Sequence, residues 1–200
     1  MGSISLKKYS SPVGNITIAA ENDAITGLWI EGQKYFCETC RFTTATYKDD
    51  YALDSACSWL DRYFAGDRPA PDELNLNPQG SEFRKAVWNI LRQIPYGETM
   101  TYGDIAQRIS TDYGMEHMSA QAVGGAVGHN PISIIVPCHR VVGARGSMTG
   151  YAGGIDKKVA LLRHEGIIFD ERNNIIHKAM HREKEPTRTI PSSQTETLCI

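Results

Sequence analysis

The feature that most constrains this chain is a short, mostly apolar segment, Ile132 to Val136, with a proline on either side. Pro131 and Pro137 have no backbone N–H, so neither a long helix nor a central strand can run through this stretch. Five residues between two such stops are typical of a buried extended segment rather than of a helix. We therefore predict a buried, extended segment that holds the residues after Pro137 in a fixed position.

A cysteine and a histidine follow this segment directly. Cys138 would be a nucleophile, and His139 its base, because a free thiol is mostly protonated at neutral pH. Neighbours in an extended chain point to opposite faces, so His139 would reach Cys138 through a water molecule or a bend. A cysteine beside an apolar run is also often a small core residue, and the pair alone does not decide between the two.

The other cysteines do not indicate a metal site. Cys37 and Cys40 could be a redox pair or half of a zinc site, but no second Cys/His pair stands at ligand spacing near Cys138. We therefore predict no metal ligands and no cofactor. The chain has no apolar run of membrane-spanning length and no secretory signal pattern, so we expect free thiols in a reducing cytoplasm and no membrane partner.

Composition and charge set weaker limits. The apolar fraction of 41% and the charged fraction of 22% are those of an ordinary globular protein. Residues 1–80 hold 7 Lys and Arg against 11 Asp and Glu, a net charge of −4, whereas residues 81–170 have a net charge of +1. This balance permits a nucleic-acid partner for the second region without requiring one.

The first 80 residues predict a small domain with an antiparallel sheet and a helix. Two β-branched runs around the turn at Asn22-Asp23 predict a hairpin, and apolar spacing predicts a helix from Asp50 to Phe64. Tyr9–Asn15 is interpreted as a turn. Pro69–Gly80, rich in Pro, Asn and Asp, is interpreted as a linker. The fold class is thus α+β.

Residues 81–170 predict a mainly helical domain, and residues 171–200 a partly disordered tail around Pro186–Ser193. Good capping residues precede three amphipathic stretches. The predicted helices follow Ser81 as far as Ile94, run from Thr101 to Arg108, follow Ser119 as far as Val127, and run from Asp156 to His164.

The second and third of these helices could form a helix-turn-helix. The third carries small side chains at Ala120, Ala122, Gly124, Gly125 and Ala126. Small side chains let another surface approach the helix backbone closely, and a helix-turn-helix places its second helix in a DNA groove. Helical hairpins are also common in protein cores, so spacing leaves both interpretations open.

Two further features could belong to a site. Thr149–Gly154 is a glycine-rich loop with one aromatic residue, which suits close contact with a flat ring. Glu165 follows the last helix, where a carboxylate is unfavourable for the helix dipole. We therefore expect a partner such as a histidine to hold Glu165; the alternative is a solvent-exposed acid.

Taken together, these residues resemble the O6-alkylguanine-DNA alkyltransferases, also called methylated-DNA–protein-cysteine methyltransferases. Ile134–Val142 is similar to the active-site signature of that family. The other matching segments are Ile94–Gly97, Thr101–Gly103, Ala122–Gly125, Asn130-Pro131, Gly150-Tyr151, Gly153-Gly154 and His164–Gly166. The resemblance covers about residues 81–170 strongly and the first domain more loosely.

The resemblance implies that Cys138 attacks the alkyl carbon on guanine O6 and keeps the group, once per protein molecule. His139 would be the base, acting through a water, and Glu165 would orient its imidazole. Asn130 would brace the active-site segment. Tyr102 would crowd the DNA backbone and supply a proton toward guanine N3. The sequence leaves open whether O4 of thymine is also a substrate.

The resemblance also implies a base pocket and a DNA surface. The pocket would be lined by Val141, Tyr151, Ala152 and Gly153. The DNA-binding residues would be Thr101, Ser119, Ala120, Ala122, Gly124, Gly125 and Arg140. The helix after Ser119 would enter the minor groove of double-stranded DNA that contains O6-alkylguanine, with the protein acting as a monomer.

One position departs from the family pattern. The family often has an arginine before Ala-Val-Gly-Gly, and this chain has Gln121 there. Glutamine can hydrogen-bond the cytosine left without a partner, but it adds no charge. We therefore expect weaker or more salt-tolerant DNA binding than in a relative with the arginine.

Two other functions remain open from the sequence. A related DNA binder could flip alkylated guanine and transfer nothing, although such proteins lack the cysteine that is present here as Cys138. A thiol hydrolase could use Cys138 and His139 on an ester or peptide, and it would turn over many times and ignore DNA.

Overall fold

The computed structural model describes residues 4–38, 46–47, 50–114, 117–171 and 174–177. The strands are β1 (Ser5–Ser11), β2 (Gly14–Glu21), β3 (Ala24–Ile30), β4 (Thr46–Tyr47), β5 (Met100–Thr101), β6 (Val141–Val142), β7 (Ile168–Phe169) and β8 (Ile175–His177). The α-helices are α1 (Tyr51–Ala65), α2 (Glu82–Arg92), α3 (Tyr102–Asp112), α4 (Ala120–Gly128) and α5 (Ile155–His164). Short 3₁₀ turns occupy Pro71–Glu73, Cys138–Arg140 and Ala144–Gly146.

The N-terminal sheet has the strand order β3-β2-β1-β4. The predicted hairpin is confirmed as β2 and β3, which pair antiparallel around Asn22 and Asp23. Both turn residues have positive φ, at 52° and 57°, a conformation that Asn and Asp tolerate better than most residues. The turn predicted over Tyr9–Asn15 is shorter than expected, because Ser10 pairs with Asn15 as part of β1 and β2.

Helix α1 confirms the helix predicted from Asp50 to Phe64, and it packs against β1, β2 and β3 of this sheet. The Asp50 side chain accepts a hydrogen bond from the Ala52 N–H at 3.0 Å, and Gly66 ends the helix with a φ of 93°. The buried residues of α1 are Ala52, Leu53, Ala56, Trp59, Leu60 and Tyr63.

The outer edge of β3 is covered by two segments from outside the sheet. Ile25 pairs with Leu76, so the predicted linker packs along the strand. Leu28 pairs with Ile132: the Leu28 N–H donates to Pro131 O and the Ser133 N–H to Leu28 O, each at 2.8 Å. The N-terminal sheet therefore directly supports the segment that precedes Cys138.

The predicted starts of the C-terminal helices are confirmed by their caps. Ser81 caps α2, Thr101 and Asp104 form a capping box at α3, and Ser119 caps α4. Helix α3 runs to Asp112, beyond the predicted end. α3 and α4 pack against each other, and β5 pairs with β6 in parallel, which ties the start of α3 to the residues after the cysteine.

One continuous core joins the N-terminal and C-terminal parts. It includes Leu28 and Leu53 from the first part and Trp88, Val123 and Cys138 from the second. The α+β fold class is confirmed. Within the described residues, no helix combines the length and apolarity needed to cross a membrane.

The segment from Ile132 to Val136 is buried as predicted, but the prediction that it is extended is wrong. Ile134 has a φ of 70°, and the Val136 N–H donates to Ile132 O at 3.0 Å, so the chain turns back on itself. The turn satisfies backbone groups inside the core that an isolated extended segment would leave without partners. Tertiary packing thus overrides the extended preference of β-branched residues.

The last described elements are α5, β7 and β8. Helix α5 confirms the last predicted helix. Residues 175–177, within the predicted tail, form β8 and pair with β7. The predicted disorder of Pro186–Ser193 lies outside the described residues.

Candidate active site

Cys138 sits in a 3₁₀ turn directly after Pro137 and is only 3% exposed. The Asn130 side-chain amide donates to the Cys138 sulfur at 3.1 Å and to Val136 O at 2.8 Å. The Asn130 carbonyl oxygen accepts from the Ile132 N–H at 3.1 Å. Asn130 therefore holds both ends of the turn and the sulfur at once.

The resting state of Cys138 is a protonated thiol. Burial raises its pKa, and the Asn130 hydrogen bond and the charge of Lys158 oppose that rise without reversing it. The thiol consequently needs a nearby base to become a nucleophile.

His139 is placed to be that base. Its Nε2 lies 2.7 Å from Glu165 Oε1, and both side chains are fully buried. Because the proton of the neutral ring is held at Nε2 by the carboxylate, the acceptor lone pair is at Nδ1. Nδ1 is buried and has no protein partner among the described residues. Burial lowers the pKa of His139 even though Glu165 opposes this, so the ring is neutral at neutral pH.

Glu165 is held by more donors than its sequence position suggested. The Tyr63 hydroxyl donates to Oε1 at 2.8 Å, Arg140 Nη2 to Oε1 at 2.9 Å and the Gly97 N–H to Oε2 at 3.2 Å. Burial alone would raise the pKa of Glu165, but His139 and Arg140 hold it far below its ordinary value. The expected partnership between Glu165 and a histidine is present, and the carboxylate is ionised.

Arg140 is not where the resemblance implied. It is 6% exposed, and Nε donates to Glu165 Oε2 at 2.9 Å while Nη1 donates to Ile94 O at 2.6 Å. A buried guanidinium committed to a buried carboxylate cannot reach DNA without breaking that pair. The prediction that Arg140 binds DNA is therefore wrong, and Arg140 instead orients Glu165.

Tyr102 lies between helix α4 and the glycine-rich loop. Its hydroxyl donates to Gly150 O at 3.0 Å, and its ring would be 3.8 Å from a Cβ added at Gly124. Burial first, and then the nearby Cys138, raise the pKa of Tyr102 to about 12. The phenol is therefore protonated and able to donate a proton near the sulfur.

Of the predicted pocket residues, Val141 and Tyr151 pack in or against the core cluster that contains Cys138. Val141 is fully buried in the core that contains Cys138. Burial and the nearby Cys138 raise the pKa of Tyr151, whose hydroxyl is close to Ser133 without a hydrogen bond of good geometry. A Cβ on Gly153 would lie 2.7 Å from the Tyr151 ring, so only glycine fits there. Ala152 O accepts from the Lys34 N–H at 2.9 Å.

The predicted DNA-binding residues of α4 lie on an open surface. The exposed residues are Ser119, Ala120, Gln121, Ala122 and Gly125, and Gly124 is half-buried. Thr101 is half-buried, and its hydroxyl accepts from the Asp104 N–H at 3.1 Å, so it acts first as a helix cap. The arrangement is a helix end with small side chains and no charge of its own.

Sequence reasoning missed Lys158. It is fully buried, and its amine donates to Val141 O at 2.5 Å and Thr149 O at 2.9 Å. Burial lowers the pKa of Lys158 to about 8, although the nearby Cys138 acts to raise it. Its spacing from Leu161 and Leu162 on one face of α5 was the available signal, because a lysine on an apolar stripe is unusual.

Tyr63 and Gly97 were missed as well, since nothing in the sequence links α1 or the Pro95–Gly97 turn to Glu165. Of the two cysteines considered as a redox pair or half of a zinc site, Cys37 is buried. Cys40, the other half of the proposed pair, lies outside the described residues.

Two family models match this chain. The 6-O-methylguanine DNA methyltransferase, ribonuclease-like domain, matches residues 4–78, and the DNA binding domain of the same family matches residues 82–167. A methylated-DNA–protein-cysteine methyltransferase of Mycolicibacterium paratuberculosis is 43% identical over 162 residues, which cover 81% of this chain and 92% of that protein. The chain belongs to this methyltransferase family.

Other members of the family agree with this assignment. The protein of the same name from Methanosarcina acetivorans is 39% identical over 172 residues and is covered over 96% of its length. Among solved structures, Mycobacterium tuberculosis OGT in complex with DNA matches with a TM-score of 0.69 and 42% identity, over 80% of this chain and 92% of that one. The likeness therefore spans both parts of the fold.

Proposed function

We propose that this chain repairs DNA by transferring a methyl or larger alkyl group from O6 of guanine to Cys138, irreversibly and once per molecule. The observation that carries the proposal is a thiol held by Asn130 at 3.1 Å beside a buried His139–Glu165 pair 2.7 Å apart, in a chain of the methyltransferase family. The chain is accordingly a methylated-DNA–protein-cysteine S-methyltransferase.

The transfer balances with the groups present. A water molecule relays the thiol proton to His139 Nδ1, and the imidazolium is stabilised by Glu165. The Cys138 sulfur forms a bond to the alkyl carbon while the carbon–O6 bond breaks and its electrons pass to guanine. Tyr102 protonates N3, so guanine leaves neutral, and the proton on His139 returns to the Tyr102 oxygen through water. The products are a thioether and an unmodified guanine.

The target base must leave the DNA stack, because the sulfur is almost completely buried. Base flipping costs a few kcal/mol, which stacking in the pocket and contacts to the backbone can offset. Val141, Tyr151, Ala152 and Gly153 would line the pocket, and the hydrogen bond from Tyr102 to Gly150 would have to open or shift on entry. DNA as the partner is supported by the complex of the Mycobacterium tuberculosis relative with DNA.

Helix α4 would enter the minor groove. Its exposed Ser119, Ala120, Ala122 and Gly125 permit close approach, and Gln121 would face the space that the flipped base leaves. The side chain is uncharged there, so phosphate contacts elsewhere would have to supply the salt-dependent part of the affinity.

The rival functions fit less well. A lesion sensor does not need a nucleophile that accepts a hydrogen bond from an amide and lies beside a base. A thiol hydrolase would release its product, whereas a thioether has no route to hydrolysis, and the relatives are named as transferases.

We further propose that residues 1–80 and 81–170 are the two domains, that residues 171–200 are an appended tail, and that the protein acts as a monomer in the cytoplasm. The two family matches, which meet between residues 78 and 82, support the boundary. The free thiols of Cys57 and Cys138 support a reducing compartment.

The test is the stoichiometry of repair. We expect a duplex with one O6-methylguanine to lose its methyl groups in an amount equal to the protein added, with no further loss on longer incubation. Cys138→Ala should remove none, whereas Cys57→Ala, a matched change in a thiol outside the site, should repair as the unchanged chain does. Repeated turnover, or repair by Cys138→Ala, would contradict the proposal.

A further inference from the structure

The catalytic carboxylate is held in part by the N-terminal half of the chain. Tyr63, on α1, donates its hydroxyl to Glu165 Oε1 at 2.8 Å. The same oxygen lies 2.7 Å from His139 Nε2. Glu165 Oε1 thus accepts hydrogen bonds both from the base and from a phenol that lies 102 residues away along the chain.

Tyr63 is fixed before any substrate arrives. It is 1% exposed, and its ring stacks on Trp59 with centroids 5.5 Å apart. Tyr96 and His164 contact it from other directions, at centroid distances of 6.0 and 5.1 Å. His164 Nε2 also lies 2.8 Å from the backbone carbonyl oxygen of Tyr63. A side chain packed this tightly has one position for its hydroxyl.

A donor on Glu165 changes the strength of the base. Each hydrogen bond that the carboxylate accepts stabilises its negative charge and leaves less of that charge to stabilise an imidazolium. The Tyr63 hydroxyl therefore works in the same direction as Arg140, which lowers the pKa of His139 by its own charge. Both oppose protonation of the ring.

The charged and titratable groups around His139 and Glu165 come from five parts of the chain. Arg140 and Cys138 belong to the same turn as His139, Lys158 to α5 and Glu165 to the end of α5. The phenols are Tyr63 from α1, Tyr96 from the loop after α2 and Tyr151 from the glycine-rich loop. His164 is a second imidazole nearby, but it contacts Tyr63 rather than Glu165. Glu165 is the acid that favours the imidazolium, and Tyr63 is the neutral group that moderates it.

We propose that Tyr63 is a positioning residue for the reaction: its hydroxyl holds Glu165 so that His139 stays unprotonated, and thus a working base, at neutral and mildly acidic pH. The N-terminal part of the chain therefore sets the pH range over which Cys138 can be activated. This inference rests on the proposed alkyl transfer.

The experiment is the pH dependence of single-turnover methyl transfer to Cys138. A base with a lowered pKa becomes protonated only when the pH falls through that pKa. The transfer rate therefore decreases only on the acidic side of the pH profile, which we call the acid limb. In Tyr63→Phe the carboxylate is freer to stabilise the imidazolium, so the acid limb should move up by about half a pH unit. The rate above the limb should stay within about threefold, because Arg140 still holds Glu165 through two nitrogens.

Tyr96→Phe is the matched control. Its hydroxyl donates to His164 O at 3.0 Å and not to Glu165, so the same atom is removed from the same aromatic cluster. Its acid limb should coincide with that of the unchanged chain. A limb that stays in place in Tyr63→Phe, or that moves equally in Tyr96→Phe, would overturn the inference.

A direct titration separates this inference from the proposed function. NMR of ¹⁵N-labelled histidine follows His139 and His164 individually and needs no DNA. The pKa of His139 should rise in Tyr63→Phe and fall when a fluorinated tyrosine, a stronger donor, replaces Tyr63. If the unchanged chain transfers no methyl group, the proposed function fails; if it transfers but the pKa of His139 does not respond, only the role of Tyr63 fails.

Discussion

At the scale of single residues, Asn130 shows how one amide can both position a nucleophile and lower its pKa. It donates to the Cys138 sulfur and to Val136 O, which no hydroxyl or carboxylate of similar size can do together. Among the groups that lower the pKa of the Cys138 thiol, the Asn130 amide comes first and the charge of Lys158 second.

Asn130→Asp should therefore impair the thiol more than its small size change suggests. A carboxylate removes the hydrogen bonds that the amide donates, including the one to the sulfur, and places a negative charge beside the sulfur, which raises the thiol pKa further. Each unit of rise reduces the thiolate about tenfold at a given pH. We expect at least that loss in the rate at which iodoacetamide alkylates Cys138, measured across pH. Asn89→Asp, the same change on an exposed face of α2, should leave the rate unaltered.

Lys158 predicts a second effect on the same sulfur. Lys158→Met removes a cation whose charge lowers the thiol pKa, and it leaves the buried Val141 O without the Lys158 amine as its donor. A buried acceptor that loses its donor costs about 1–3 kcal/mol, so the melting temperature should fall as well. The alkylation rate of Cys138 should drop several-fold. Lys157→Met, which removes only a hydrogen bond to Glu31 O, should change neither quantity by a comparable amount.

The sequence predicted Cys138, His139 and Glu165 as a group, but it did so through motif likeness and not through contact. Arg140 was misplaced because adjacent motif residues can point in opposite directions, and only packing shows that its guanidinium turns inward. Tyr63 could not be predicted, because its contact to Glu165 depends on how two distant helices meet.

At the scale of secondary structure, local chemistry was a good guide to where helices begin. Ser81, Thr101 and Ser119 were predicted as caps, and each accepts the hydrogen bond expected of a cap. Periodicity did not predict the turn at Ile134, since its positive φ is stabilised by burial and by contacts from Leu28 and Asn130. Two-residue strands such as β5 and β6 are too short to leave a pattern.

The residue at position 121 of helix α4 should affect how tightly the protein binds DNA. Gln121→Arg should tighten binding to undamaged duplex DNA at low salt and steepen the salt dependence, by about 0.9 in the logarithmic slope for each phosphate that the arginine neutralises. Fluorescence anisotropy over a salt series would measure it. Gln79→Arg adds the same charge on the linker and should change the slope less. Equal affinity of Gln121→Arg and the unchanged chain at every salt concentration would contradict the expectation.

At the scale of the whole molecule, the two parts share one core and one site. β3 pairs with the segment before Cys138, and α1 reaches Glu165 through Tyr63. The N-terminal part is therefore not a separate attachment to the C-terminal part. The sequence indicated two domains by their composition, and it held no sign of the contacts between them.

A shared core predicts a single unfolding transition. Trp29 and Trp59 report on the first part and Trp88 on the second, and all three are at most 2% exposed. Tryptophan fluorescence and far-UV circular dichroism should give coincident denaturant curves. In a variant that retains only Trp88, and in one that retains only Trp29 and Trp59, the fluorescence curve should coincide with the circular dichroism curve of that same variant. Separate midpoints for the two parts would show that they unfold independently.

The central claim is that the alkyl group ends on the Cys138 sulfur. Its most direct test is peptide mass spectrometry after the chain is mixed with duplex DNA containing O6-methylguanine. We predict a gain of one CH₂ unit on the peptide that contains Cys138, in proportion to the lesion added up to one per molecule, and none in the DNA-free sample. A methyl group found on another residue, or lesions lost while Cys138 keeps its original mass, would contradict the account.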